Sequence, residues 1–108
     1  MKRGELYRVF SASKTDIKKH RVYVIVSRQE LIDNTYSTII CAPVYTNYDG
    51  LSTQVQVGIE EGLKHQSAIR CDELISILKT RLTDYIGFLS DKKLYEMAQA
   101  LSIAIGIF

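Results

Sequence analysis

The sequence predicts a mainly β protein, a small antiparallel barrel with a C-terminal helix packed on it and short helical turns. Short runs rich in β-branched and aromatic residues recur along the chain, and only its last stretch has strong helical periodicity. The 108 residues have room for one domain with one hydrophobic core. We therefore treat residues 1–108 as a single domain.

Three strands are expected in the first half of the chain. Residues 5–10 mix aromatic and β-branched residues, and residues 21–27 are apolar on both faces, which predicts a central, buried strand. The polar residues 11–20 predict a long loop, and residues 28–34 predict a helical turn. The third strand, residues 37–45, contains Pro43, which predicts a sheet edge or a bulge there.

The second half of the chain contains the longest apparent strand and the helix. Residues 67–77 are strand-like, but their alternation fails near Asp72, so we expect a bulge or bend at that point. Shorter strands are expected at residues 53–58 and 85–89. Ser90 then caps the one convincing helix, and a glycine near the C-terminus ends it.

Composition and charge exclude several classes of protein. The net charge of +2 is too small to indicate nucleic-acid binding by itself, and the basic residues near the start could form an ordinary solvated surface. Cys41 and Cys71 each lie in an apolar run, which favours buried free thiols over a disulfide. No Cys or His pair has ligand spacing, and from the sequence we expect neither a signal sequence nor a membrane span. We expect a cytoplasmic protein with no metal and no cofactor.

Five segments, in order, resemble one family over nearly the whole chain. The chain is similar to the MazF, PemK and Kid toxins in an Arg-Gly-Glu opening, a following Arg-led strand, an Ala-Pro-Val segment ending in a hydroxyl residue, an Arg-Cys-Asp segment and the closing strand and helix. In this sequence these segments are residues 3–7, 21–27, 42–46, 62–72 and 81–104.

The resemblance implies both a fold and a function. Members of this family are SH3-like barrels that form homodimers, cut messenger RNA at short single-stranded sequences and are held inactive by a cognate antitoxin. It also implies an active site built from Arg21, Thr46, Arg70 and Asp72. We therefore expect a metal-independent endoribonuclease that leaves 2′,3′-cyclic phosphate and 5′-hydroxyl ends.

The chemistry of these residue types suits RNA cleavage by the neighbouring 2′-hydroxyl. A guanidinium such as that of Arg21 matches two phosphate oxygens and stays charged at any working pH. Thr46 can donate a hydrogen bond to the same oxygens. Arg70 and Asp72 are two apart on an expected strand and would share a face, with Arg70 stabilising charge and Asp72 accepting or orienting the 2′ proton. An ion pair between these two residues is the competing structural interpretation.

Further candidates for substrate binding are weaker. His20 and His65 are candidates because histidine is a common acid–base residue in enzymes. Tyr48, with less support Tyr45 and Tyr23, could stack on unpaired bases. Each has an ordinary structural interpretation as well, because loop histidines and half-buried tyrosines are common in small barrels.

Two other classes remain open from the sequence. One is a CcdB-like topoisomerase poison, which has a similar barrel without an enzymatic site. Members of that branch are similar to one another in a Trp-Gly-Ile ending, whereas this chain has no Trp and ends Ile-Gly-Ile-Phe. The other is an SH3-like binding module, including a toxin that has lost its activity, which the unusual residues 14–17 of the first loop keep open.

Overall fold

A computed structural model of the protein describes residues 1–10 and 20–107. Its strands are β1 (Glu5–Phe10), β2 (His20–Ile25), β3 (Thr38–Tyr45), β4 (Gln54–Val57), β5 (Ser67–Arg70), β6 (Ile75–Leu78) and β7 (Asp84–Phe88). The α-helices are α1 (Gln29–Asp33) and α2 (Asp91–Ala104), and 3₁₀ turns lie at Ile59–Glu61, Cys71–Glu73 and Lys79–Arg81. The predicted first loop falls on residues 11–19, outside the described residues, and on His20, with which β2 begins.

The strands form one antiparallel sheet in the order β4-β5-β3-β2-β1-β7, with β6 paired to the remaining stretch of β3. The predicted fold class is confirmed. Within the described residues no ladder joins the end strands β4 and β7, so the sheet is a half-barrel. The 3₁₀ turn after β4 packs on β7 instead, and a Cβ on Gly87 would overlap the carbonyl oxygen of Glu61. Glycine is therefore required at that contact.

Alternation along the strands gives the curved sheet an apolar cluster on each face. Leu6 and Val24 point to one face, where they pack with Met97 of α2. Tyr7 and Ile25 point to the other face, where Ile32 of α1 covers them. The sheet thus lies between the two helices.

Both cysteines are free and buried, as the sequence predicts. Cys71 belongs to the cluster under α2, and Cys41 to the cluster under α1. Burial raises the pKa of the Cys41 thiol to about 12 and that of Cys71 to about 11. Both side chains are consequently neutral apolar groups at any physiological pH.

The prediction that Pro43 marks an edge or a bulge is wrong. β3 lies inside the sheet, and Pro43 is paired with Tyr23 of β2. On its other side β3 pairs with β6 through Thr38–Cys41 and with β5 through Val44 and Tyr45. Pro43 sits in the gap between these two partners, where its missing N–H removes no ladder hydrogen bond.

The C-terminal helix begins and ends where its capping residues predict. The Ser90 hydroxyl accepts a hydrogen bond from the backbone N–H of Lys93 at 3.2 Å. Gly106 has a φ of 76°, and its N–H donates to the carbonyl of Ile103. None of the helices in the described ranges is both long enough and apolar enough to cross a membrane.

Candidate active site

Arg21 lies at the start of β2 with its side chain exposed. The register pairs Val22 with Val44, which places Arg21 opposite Tyr45 on the neighbouring strand β3. The Arg21 guanidinium carbon lies 4.3 Å from the centroid of the Tyr45 ring. This is a close cation–π contact between directly opposed residues of two strands.

Arg70 reaches the same ring from the other side of β3. It is the last residue of β5, and its guanidinium carbon lies 4.0 Å from the Tyr45 centroid. It also donates to Glu73 Oε2 at 3.3 Å and to Asn47 Oδ1 at 3.1 Å. The structure therefore brings Arg21 and Arg70 together, no further apart than the sum of their two distances to the ring centroid.

One donor of Arg70 stays without a partner. Its Nε is buried and has no hydrogen-bond acceptor within the described part of the chain. An unpaired buried donor is costly, and such groups need an explanation of their own. Here the unpaired Nε belongs to a guanidinium whose other nitrogens are hydrogen-bonded and which lies over an aromatic ring.

Tyr45 is anchored by its hydroxyl as well as by its ring. The hydroxyl donates to Glu73 Oε1 at 2.9 Å. This hydrogen bond raises the pKa of Tyr45, burial raises it further, and the two nearby guanidinium groups oppose that rise. The phenol therefore stays protonated at neutral pH and cannot act there as a general base.

The expectation that Arg70 and Asp72 share a strand face is wrong. β5 ends at Arg70, and Cys71–Glu73 form a 3₁₀ turn that points Cys71 into the core. The Asp72 carboxylate accepts a hydrogen bond from Thr53 Oγ1 at 2.6 Å, and the carboxylate that binds Arg70 belongs to Glu73. The failed alternation did mark an irregularity, but it is a helical turn, not a bulge.

The remaining predicted residues lie around this cluster at different distances along the fold. Thr46 directly follows Tyr45 and is exposed. His20 begins β2 beside Arg21, with its ring centroid 5.7 Å from that of Phe10. A cavity of about 460 Å³ is lined in part by Phe10, His20, Arg21, Tyr23 and Arg81. His20 is thus next to Arg21 in the chain, and Thr46 is next to Tyr45.

His65 and Tyr48 are not part of the arginine cluster. His65 precedes β5, at the end opposite to Arg70, and its carbonyl accepts a hydrogen bond from Ser67. Tyr48 helps to line a different groove, between β4 and α2. Within residues 1–10 and 20–107, no three or more His, Cys, Asp or Glu side chains are grouped so that they could hold a metal ion.

The sequence interpretation missed Glu73 and Asn47 and gave Tyr45 a different role. Glu73 follows Arg70 by three residues, which is the spacing of neighbours on a helical turn. The failed alternation near Asp72 was the available signal for that turn. Asn47 carried no such signal, because its contact with Arg70 depends on how the loop after β3 folds back.

Comparison with known proteins identifies the family. Residues 2–105 match the family model described as PemK-like, MazF-like toxin of type II toxin-antitoxin system. An endoribonuclease MazF of Staphylococcus saprophyticus is 27% identical over 111 residues, which cover 99% of this chain and 92% of that protein. Endoribonuclease MazF3 of Mycobacterium tuberculosis is 27% identical over 78% of this chain and 82% of its own length.

Solved structures agree in fold. The Mycobacterium tuberculosis toxin MazF-mt6 has a TM-score of 0.82 at 24% identity, covering 96% of this chain and 98% of that chain. An endoribonuclease in complex with its cognate antitoxin, from a mycobacterial species, has a TM-score of 0.85 at 20% identity, covering 100% of this chain and 97% of that one. The family model spans all the described strands and α2. The chain belongs to the family of PemK-like, MazF-like toxins of type II toxin–antitoxin systems.

Proposed function

We propose that this protein is an endoribonuclease that cleaves single-stranded messenger RNA and serves as the toxin of a toxin–antitoxin pair. The observation that carries the proposal is the pair of guanidinium groups, Arg21 and Arg70, over one tyrosine ring. Its family membership and its similarity to proteins named endoribonuclease support the same activity.

Cleavage proceeds by attack of the ribose 2′-oxygen on the adjacent phosphorus. The P–O5′ bond breaks as the new P–O2′ bond forms, which leaves a 2′,3′-cyclic phosphate and a 5′-hydroxyl. Negative charge builds on the phosphoryl oxygens, and preorganised cations aimed at that charge supply the largest catalytic term. Arg21 and Arg70 fill this role without a metal ion, and Thr46, the exposed residue after Tyr45, donates a hydrogen bond to the same oxygens.

The 2′ proton needs an acceptor, and the 3₁₀ turn that follows Arg70 carries two carboxylates, Asp72 and Glu73. Glu73 accepts hydrogen bonds on both oxygens, from Tyr45 and from Arg70. Asp72 is exposed and accepts on one oxygen only, from Thr53, within the described residues. The open oxygen favours Asp72 as the group that takes or orients the proton.

The test is incubation of the purified protein with a long single-stranded RNA in EDTA, followed by mapping of the ends. Discrete cuts with cyclic phosphate and 5′-hydroxyl ends are expected, and Arg21→Ala should slow them by roughly 10²- to 10³-fold. Arg28→Ala is the matched control, because Arg28 is an exposed arginine before α1 with no part in the cluster. Intact RNA at high protein concentration contradicts the proposal.

The proposal also concerns partners and location. We expect a homodimer in the cytoplasm that binds an antitoxin protein encoded beside it. The complex of a related endoribonuclease with its cognate antitoxin supports this expectation. Light scattering of the purified protein, alone and with the product of the neighbouring gene, tests both statements, and a monomer that does not bind that product contradicts them.

A further inference from the structure

The two arginines of the cluster come from strands that are not paired with each other. β3 lies between β2 and β5, so Arg21 and Arg70 reach Tyr45 from opposite neighbours. Long, flexible cationic side chains lose much rotamer freedom when they are fixed, and like charges oppose a close approach. Something must therefore hold these two guanidinium groups near one another before the substrate arrives.

The Tyr45 ring provides that contact. Its π-electron face attracts a guanidinium, and both guanidinium carbons lie within 4.3 Å of its centroid. The ring is itself fixed, because its hydroxyl donates to Glu73 Oε1 while Glu73 Oε2 accepts from Arg70. Tyr45, Glu73 and Arg70 form a closed set of contacts in which each member limits the movement of the other two.

We propose that Tyr45, held by Glu73, is a positioning residue that fixes the guanidinium groups of Arg21 and Arg70 for action on a single phosphodiester. This inference rests on the proposed ribonuclease function and assigns Tyr45 no contact with the reacting atoms. Tyr45 acts through the arginines, so its removal affects the rate of the chemical step more than the binding of RNA.

Stacking of Tyr45 on a nucleobase is the alternative role for this side chain. Both guanidinium carbons already lie within 4.3 Å of the ring centroid, so a stacked base would compete with them for the ring. The two roles also differ in kinetics. A positioning residue changes kcat, whereas a base platform changes KM and leaves kcat nearly unaltered.

The experiment measures kcat and KM for cleavage of a single-stranded RNA by the full-length protein and its Tyr45 variants. Tyr45→Leu removes the ring, and we expect kcat to fall roughly 30- to 100-fold with KM within about threefold. Tyr45→Phe keeps the ring and loses only the bond to Glu73, so we expect a loss of about three- to tenfold. Tyr36→Leu is the matched control at an exposed tyrosine outside the cluster and should match the wild type.

The same comparison in an Arg21→Ala background separates positioning from a general structural role. If Tyr45 acts through the arginines, the loss caused by Tyr45→Leu shrinks by at least about threefold in that background. Thermal unfolding checks that each variant is folded, and if Tyr45→Leu does not fold, Tyr45→Phe carries the test.

The failures can be told apart. If the wild-type protein cleaves RNA and both Tyr45→Leu and Tyr45→Phe have the wild-type kcat, the inference is overturned and the ribonuclease function stands. A raised KM with unchanged kcat also overturns it, in favour of base stacking. If the wild-type protein cuts no RNA, the proposed function fails, and the positioning role that rests on it fails too.

Discussion

Two arginine contacts in the same sheet differ in how the positive charge is balanced. Arg8 of β1 is paired in register with Asp84 of β7, and the two side chains form an ion pair at 3.1 Å. Arg21 and Arg70 both contact the Tyr45 ring, and Glu73 accepts a hydrogen bond from the guanidinium of Arg70. The first contact balances one charge with one opposite charge. The second holds two cations close together.

We interpret the Arg8–Asp84 ion pair as a contact that joins two strands, and the pair of arginines at Tyr45 as a site for an anion. A half-exposed ion pair such as Arg8–Asp84 contributes little to stability and leaves no unmet charge. At the second contact Asp49 also approaches Arg70, at 4.0 Å, but its side chain is about half exposed, and such pairs are weak. A phosphodiester can balance the remaining positive charge, so we interpret the arrangement as functional.

The largest expected effect is the contrast in activity between the two contacts. Arg70→Ala should lower kcat/KM for RNA cleavage by roughly 10²- to 10³-fold, because a cation aimed at the developing charge is lost. Arg8→Ala should cleave at the wild-type rate. Equal losses in the two variants would remove the distinction between the contacts.

The two carboxylates of the 3₁₀ turn after Arg70, Asp72 and Glu73, should also differ in effect. Asp72→Asn removes the proposed proton acceptor and should lower kcat about a hundredfold. Glu73→Gln removes a charge that only positions Tyr45 and Arg70, so we expect a loss of about tenfold. Single-turnover cleavage of one defined RNA measures both, and the reverse order of losses would assign the proton to Glu73.

Salt dependence gives a smaller effect that reports phosphate contact directly. For single-stranded RNA, the slope of log K against log salt concentration changes by about 0.7 for each phosphate contact. With a non-cleavable 2′-O-methyl RNA, Arg70→Ala should flatten the wild-type slope by about that amount. Arg8→Ala should leave the slope unchanged, and a flattened slope there would show that Arg8 also touches the backbone of the RNA.

The smallest effect is on stability. Arg8→Ala should lower the free energy of unfolding by about 0.2–1 kcal/mol, as for other partly exposed ion pairs. Denaturation by urea, with Asp84→Ala and the double variant, isolates the pair's contribution. A coupling well above that range would mean that this edge of the sheet depends on the ion pair.

The sequence predicted the fold class because strand alternation and helix capping are local signals. Ser90 and Gly106 mark the ends of α2, and the run around Val24 predicts a central strand. It could not predict that Pro43 falls in the gap between β5 and β6, since that depends on which parts of β3 each strand pairs with. Local pattern thus gave the elements but not the register between distant strands.

The same limit applies to the candidate site. Arg21 and Arg70 were found from the family resemblance, but their common contact with Tyr45 depends on the order of three strands. Asp72 was placed on the wrong side because the alternation rule was continued past Arg70 into a 3₁₀ turn. The contacts of Glu73 and Asn47 with Arg70 were invisible for the same reason.

The central claim is that Arg21 and Arg70 act as one unit on one phosphodiester. A double-mutant cycle with Arg21→Ala, Arg70→Ala and the combined variant, measured by single-turnover cleavage of one RNA in EDTA, tests it most directly. Residues that act as a unit are strongly non-additive, so the double variant should be no more than about tenfold slower than the slower single variant. Losses that multiply in full would contradict the claim and assign the two arginines to independent tasks.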